Sequence, residues 1–122
     1  MASEESRGVT NQEVELCPKP WGWERIFAKT EKYVGKILYI KAGHKLSLQY
    51  HEKKTETIIV NQGVLYFHFN GKDLVLFPGE AYHITPFCKH RMEARDVDAI
   101  VFEVSTPELN DVVRLEDSYG RV

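Results

Sequence analysis

Between Trp23 and Val104 the chain alternates short apolar runs with turn chemistry, and no window keeps the three- and four-residue spacing of an amphipathic helix. The runs predict strands over Trp23–Ala28, Tyr33–Ile40, Leu46–His51, Glu56–Val60, Val64–Phe69, Asp73–Phe77, Ala81–Thr85, Lys89–Ala94 and Ala99–Val104. Between them lie Lys41-Ala42-Gly43, Asn61-Gln62-Gly63, Asn70-Gly71 and Pro78-Gly79-Glu80, with a break at Pro86. Asn70-Gly71 is the strongest hairpin signal, because both residue types accept the positive φ of a tight turn whose twist matches its strands. Evenly spaced short strands predict a closed all-β architecture, a barrel or a jelly roll. Alternation within the strands assigns Ile37, Leu38, Ile40, Leu48, Ile58, Val60, Leu65, Phe67, Leu76, Ile100, Phe102 and Val104 to the core, with Trp21 and Trp23 packing across a barrel end or a subunit contact.

The ends differ in character. Residues 1–16 are polar and aperiodic, so residues 1–17 are read as a mobile arm, contributing at most a short strand or turn, and 18–122 as a single domain with order starting at Pro18. From Thr106 the chain is charged and interrupted, which suggests a short helical turn over Glu108–Val113 and an irregular tail.

A chain of 122 residues can bury a core without disulfides or a structural metal. Sixteen basic against 18 acidic residues give a formal charge of −2, which argues against a nucleic-acid partner. No apolar run approaches the roughly 20 residues of a spanning helix, and the N-terminal residues lack the plan of a signal peptide, so no membrane partner and a cytoplasmic location are expected. The two cysteines, Cys17 and Cys88, lack CxxC spacing and are read as a reduced pair.

The candidate chemistry concentrates in Gly43–Gly63, GHKLSLQYHEKKTETIIVNQG. Gln49 and His51, two apart, leave the same face of a strand, and a polar turn brings Glu56 back beside them. His90 is the best fourth member. Imidazole, carboxylate and amide oxygen together suit one divalent cation, with zinc, iron, manganese, cobalt and nickel all compatible with the donors. Spacing alone leaves open the alternative that these are ordinary polar residues of a β protein.

The same residues resemble the first cupin motif: Gly43, Gln49, His51, Glu56 and Gly63 fall on its positions, with Gln49 in place of the first His. Pro78-Gly79, Pro86 and His90 resemble the second motif, although Ala94 stands where Asn is usual. The Gln-x-His form is similar to that of phosphomannose isomerases, where Gln, His, Glu and His hold zinc. Asn110–Arg121, NDVVRLEDSYGR, and Pro20-Trp21-Gly22-Trp23-Glu24 resemble the isomerase domain of type II mannose-6-phosphate isomerase/mannose-1-phosphate guanylyltransferase enzymes. The resemblance covers about residues 18–121 and leaves out the nucleotidyltransferase half. It implies a single-domain cupin (double-stranded β-helix), a metal ion held by Gln49, His51, Glu56 and His90 with zinc foremost, and a homodimer.

The activity implied is aldose–ketose isomerisation of a sugar phosphate similar to mannose 6-phosphate, through a cis-enediol. Lys36 and His83 are the candidate bases, and Arg114, Arg121, Lys53 and Lys54 the candidate phosphate contacts. For each there is a plainer role, ion pairing of the tail for the arginines and solvation of a turn for the lysines. His44 and His68 are expected at the surface, Cys88 as a small apolar filler and Tyr50 facing away from the metal. Two other functions stay open: a non-catalytic metal- or carbohydrate-binding cupin, and an iron-dependent cupin dioxygenase.

Overall fold

The computed structural model describes residues 8–122, and these form strands and turns without a helix. In chain order the strands are β1 (Glu15–Lys19), β2 (Gly22–Lys29), β3 (Val34–Ile40), β4 (His44–Lys45), β5 (Leu48–Tyr50), β6 (Glu56–Gln62), β7 (Leu65–Phe69), β8 (Lys72–Leu76), β9 (Ala81–Ile84), β10 (His90–Ala94), β11 (Ala99–Ser105) and β12 (Val113–Glu116). One sheet has the order β1-β2-β3-β11-β6-β9 and the other β12-β5-β10-β7-β8, with β4 also paired to β10. The core joins inward residues of both sheets, among them Leu38, Ile40, Ile58 and Val101 from the first and Leu65, Phe67, Leu76 and Met92 from the second.

The turns follow their residues. Asn70 and Gly71 have φ of 48° and 77°, the paired positive angles of a tight hairpin between β7 and β8. Gly63 has φ of 81°, and a Cβ there would stand 2.1 Å from the Asp98 carbonyl oxygen, so only glycine fits this close approach of two chain segments.

Each predicted strand has a counterpart, although Leu46–His51 is shortened to β5, and β4 is a separate two-residue strand just ahead of it. Two segments differ from expectation. The helical turn over Glu108–Val113 is not formed; the chain passes through short turns into β12, which pairs with β5. At the other end β1 starts at Glu15, ahead of Pro18, and pairs with β2 along its length. Residues 1–7 of the expected arm lie outside the described residues.

Leu38, Ile40, Ile58, Val60, Leu65, Phe67 and Leu76 are buried as expected. Ile37, Leu48 and Ile100 are only half-buried, whereas Phe102 and Val104 are 37% and 51% exposed. The correction in β11 is one of parity. Its inward set is Ala99, Val101, Glu103 and Ser105, so the bulkier alternate set faces out. Trp21 is buried, while Trp23 stacks on Tyr39 with ring centroids 5.1 Å apart. Cys17 and Cys88 are both free thiols.

Candidate metal centre

β6 begins at Glu56, whose side chain points inward with Ile58 and Val60. His51 follows β5 and His90 opens β10, and all three polar residues are 1–2% exposed. Glu56 Oε1 lies 3.0 Å from His51 Nε2 and 3.1 Å from His90 Nε2. The imidazole orientations are set from behind. His51 Nδ1 donates to the Asp111 carbonyl oxygen at 2.5 Å and His90 Nδ1 to the Cys88 carbonyl oxygen at 2.8 Å. Since a carbonyl oxygen only accepts, each neutral ring carries its proton on Nδ1 and turns the Nε2 lone pair inward. His90 Nε2 makes no hydrogen bond despite its burial.

Ligand atoms of His51, Glu56 and His90 thus lie within 4.8 Å of one another. Two imidazoles and a carboxylate gathered at one buried point form a donor set that a divalent cation satisfies, so the residues present fit a metal. Gln49 sits opposite His90 in the β5–β10 ladder and lines the adjoining cavity; its Oε1 accepts from Ser47 Oγ at 2.8 Å.

Electrostatics separate the two buried acids. Burial pushes the Glu56 carboxyl up, but the imidazoles, Glu103 and the Lys54 charge outweigh it and hold Glu56 well below the ordinary carboxylate value. Burial and then the Glu56 charge push Glu103 well above it, so Glu103 is the member of the pair that keeps a proton. Lys54 Nζ lies 3.7 Å from Glu56 Oε2.

The centre opens into a cavity of about 400 Å³ lined by Gln49, His51, Lys36, Lys54, Glu103 and Arg114 among others. Lys36 is on its wall, with Nζ 3.4 Å from Glu24 Oε1, an oxygen that Lys19 Nζ also approaches at 3.7 Å. His83 is not. It pairs in register with the outward Thr57, bonds the Thr57 hydroxyl at 2.7 Å and is exposed, so it is corrected from a cavity residue to an outer-face residue. Arg121 lines the cavity, but Nε and Nη2 each bond the Asp117 carboxylate at 2.9 Å, which ties down the tail. Arg114 stands opposite Gln49 in the β12–β5 ladder, and its buried Nε has no hydrogen-bond partner. Lys53 is exposed and its side chain does not line the cavity, whereas Lys54 is buried against Glu56.

His68 points away from the core, with Nδ1 2.5 Å from Asp73 and Nε2 2.9 Å from Glu93. His44 is half-buried beside the Tyr119 ring, and Tyr50 lies near Phe87, outside the cavity lining. Burial, and next the Glu56 charge, push the Cys88 thiol up.

Two residues important to the centre were not anticipated. Glu103 was obscured by the parity of β11; the signal available was a lone acid in an otherwise apolar strand. Asp111 has no local signal, since its carboxylate accepts from the backbone N–H groups of Glu52, Lys53 and Lys54 at 3.0, 2.7 and 2.8 Å, some sixty residues away in the chain. Those N–H groups, Glu52 and Lys53 first, lower its pKa to about 2.

Two antiparallel sheets closed around a buried His/Glu/His cluster define the cupin class, the double-stranded β-helix. Within it the chain belongs to the mannose-6-phosphate isomerase C-terminal domain family, whose profile matches residues 6–117. It is 33% identical over 108 residues to mannose-1-phosphate guanylyltransferase ManC of Salmonella typhimurium, a match covering 85% of this chain and 22% of that protein. The chain therefore spans about a quarter or less of the length of such relatives. Among solved structures, a Klebsiella pneumoniae protein with a double-stranded β-helix domain superposes with TM-score 0.68 at 18% identity, over 96% of each chain. A cupin-superfamily sugar phosphate isomerase of Silicibacter pomeroyi superposes with TM-score 0.60 at 20% identity, over 68% of this chain and 59% of that one.

Proposed function

We propose that this cupin is a metal-dependent aldose–ketose isomerase acting on a sugar phosphate similar to mannose 6-phosphate. The observation that carries the reading is that the buried His51, Glu56 and His90 cluster meets, through His51, a cavity whose wall also carries Arg114, a cation whose buried Nε lacks a partner. Family membership and the named sugar phosphate isomerase of the same fold support it.

Gln49, His51, Glu56 and His90 would hold the ion, with zinc foremost and manganese, iron, cobalt or nickel as alternatives. When bound, a divalent ion supplies Lewis-acid polarisation of the sugar carbonyl and stabilises charge on the enediolate oxygen. Lys36 is the residue placed to move the proton from C2 of the open-chain aldose to C1; its ammonium faces Glu24 at rest, so it first gives up a proton to solvent, and the Glu24 carboxylate then steadies the ammonium re-formed between the two transfers. Arg114 receives the phosphate, since guanidinium pairs with phosphate oxygens through two parallel hydrogen bonds. Lys54 balances the Glu56 charge.

Two copies are proposed to pair through the outer face of the first sheet, where Phe27, Ile59, Tyr82, Phe102 and Val104 are 37–51% exposed. Light scattering on the purified chain checks the dimer. For the reaction, zinc-loaded protein incubated with mannose 6-phosphate in deuterium oxide is expected to form fructose 6-phosphate carrying deuterium at C1 and, by the reverse reaction, mannose 6-phosphate carrying deuterium at C2. Absence of both under metal saturation overturns the isomerase reading.

A further inference from the structure

The segment following β11 is fastened to the turn that carries His51 at several points. The Thr55 N–H donates to Thr106 Oγ1 at 3.1 Å, and the Thr106 N–H donates back to the Thr55 carbonyl oxygen at 3.0 Å. Farther on, the Asp111 carboxylate takes the N–H groups of Glu52, Lys53 and Lys54, while the Asp111 backbone carbonyl takes His51 Nδ1–H. One residue therefore grips the turn with its side chain and aims the imidazole with its main chain. The next residues, Val112 and Arg114, line the cavity on the other side.

The side-chain grip determines where that carbonyl stands. Between Ser105 and Val113 the chain has no strand pairing, and the bonds within it, Leu109 N–H to Pro107, Asp111 N–H to Glu108 and Val112 N–H to Asn110, are local, so its position over His51 falls to its bonds with the 52–55 turn. Three charge-assisted hydrogen bonds to consecutive amides set it. Lys54, the last of those amides, also carries the ammonium that faces Glu56, so the same carboxylate sets the start of β6.

We propose that Asp111 is the positioning residue of the metal centre: its carboxylate locks the 52–54 turn and thereby holds its own carbonyl against His51, fixing the imidazole for metal binding. The inference rests on the metal-centre reading above and adds to it a residue that touches neither metal nor substrate. Outer partners of metal-bound histidine typically change affinity by about 10–100-fold.

The test is zinc and cobalt titration of the wild-type chain, Asp111→Asn, Asp111→Ala and Asp98→Asn. Asp98 serves as control because it accepts the Ala42 N–H in another turn, at 2.8 Å. The expected result is a loss of metal affinity of about tenfold or more in Asp111→Ala, with a smaller loss in Asp111→Asn, which keeps the shape and part of the acceptor capacity. The visible absorption of the cobalt-loaded Asp111 variants should shift, and the Asp98 variant should match wild type in both respects. Asp111→Asn decides the matter if Asp111→Ala does not fold. Wild-type affinity and an unchanged cobalt spectrum in the Asp111 variant overturn the inference while leaving the metal centre intact. Failure of the wild-type chain to bind either metal overturns the metal-centre reading and this inference with it.

Discussion

The proposed function gives Glu56 and Arg114 separate roles, one at the metal cluster and one on the cavity wall, and single substitutions distinguish them. Glu56→Gln keeps the side-chain volume but removes the anionic oxygen shared by His51 and His90. Zinc affinity measured by calorimetry is expected to fall by more than the roughly 10–100-fold typical of outer partners, because a ligand itself is altered. Arg114→Lys keeps a positive charge and loses the planar fork. KM for the sugar phosphate should rise about tenfold, the low end of what a hydrogen bond to a charged group contributes, with kcat little changed. A fall in kcat at unchanged KM would remove Arg114 from the role of phosphate anchor. The residue scale is also where the sequence was most informative. His51, Glu56 and His90, which the structure gathers, are picked out by motif, whereas Asp111 touches backbone amides far away in the chain, a contact that no local pattern encodes.

At the scale of elements, β11 shows how alternation can be read correctly in period and wrongly in phase. Ile100, Phe102 and Val104 are bulkier than Ala99, Val101 and Ser105, so volume favours the wrong face. The strand's neighbours settle it: Val101 pairs with the inward Leu38 and Val60, and Glu103 with the inward Lys36 and Ile58. Substituting one atom type at two positions tests this phase. Val101→Thr buries a hydroxyl at a fully buried site and is expected to cost about 1–3 kcal/mol. Val104→Thr, at a position 51% exposed, should stay within about 0.5 kcal/mol. Urea denaturation of both variants is the measurement, and equal losses would contradict the phase seen here. β12 escaped the sequence reading for a related reason. Val113–Glu116 alternates too weakly to mark a strand, and it becomes one because β5 offers it an edge.

For the whole molecule, Asp111 and Asp117 are acids whose ionisation is tied to the fold. Hydrogen bonds from Arg121 lower the Asp117 pKa to about 2, and Asp111 is held at about 2 by turn amides, against an ordinary value of 3.8. Folded values below the unfolded ones mean stabilisation that is complete above the unfolded value and lost as pH falls from 3.8 towards about 2. Asp117→Asn should therefore be less stable than wild type at neutral pH, with the difference shrinking towards pH 2, as followed by thermal melts across the acid range. The all-β class was legible along most of the chain, since strand periodicity and turn residues agree at every loop from Gly43 to Pro86. The cavity was less so, because its wall mixes β3, β5, β11 and β12 and its make-up depends on which face each strand turns inward.

Glu103 sets the interests of folding and of the site against each other. A buried carboxyl beside Glu56 is costly to desolvate, and an apolar side chain of similar size removes that cost while giving up the contact that helps keep Glu56 ionised. Glu103→Leu is thus expected to raise the melting temperature of the metal-free chain in calorimetry. Any improvement scheme that ranks variants by heat resistance alone would select that change early, and would drift towards a sturdier barrel whose cavity has lost the acid it was shaped around.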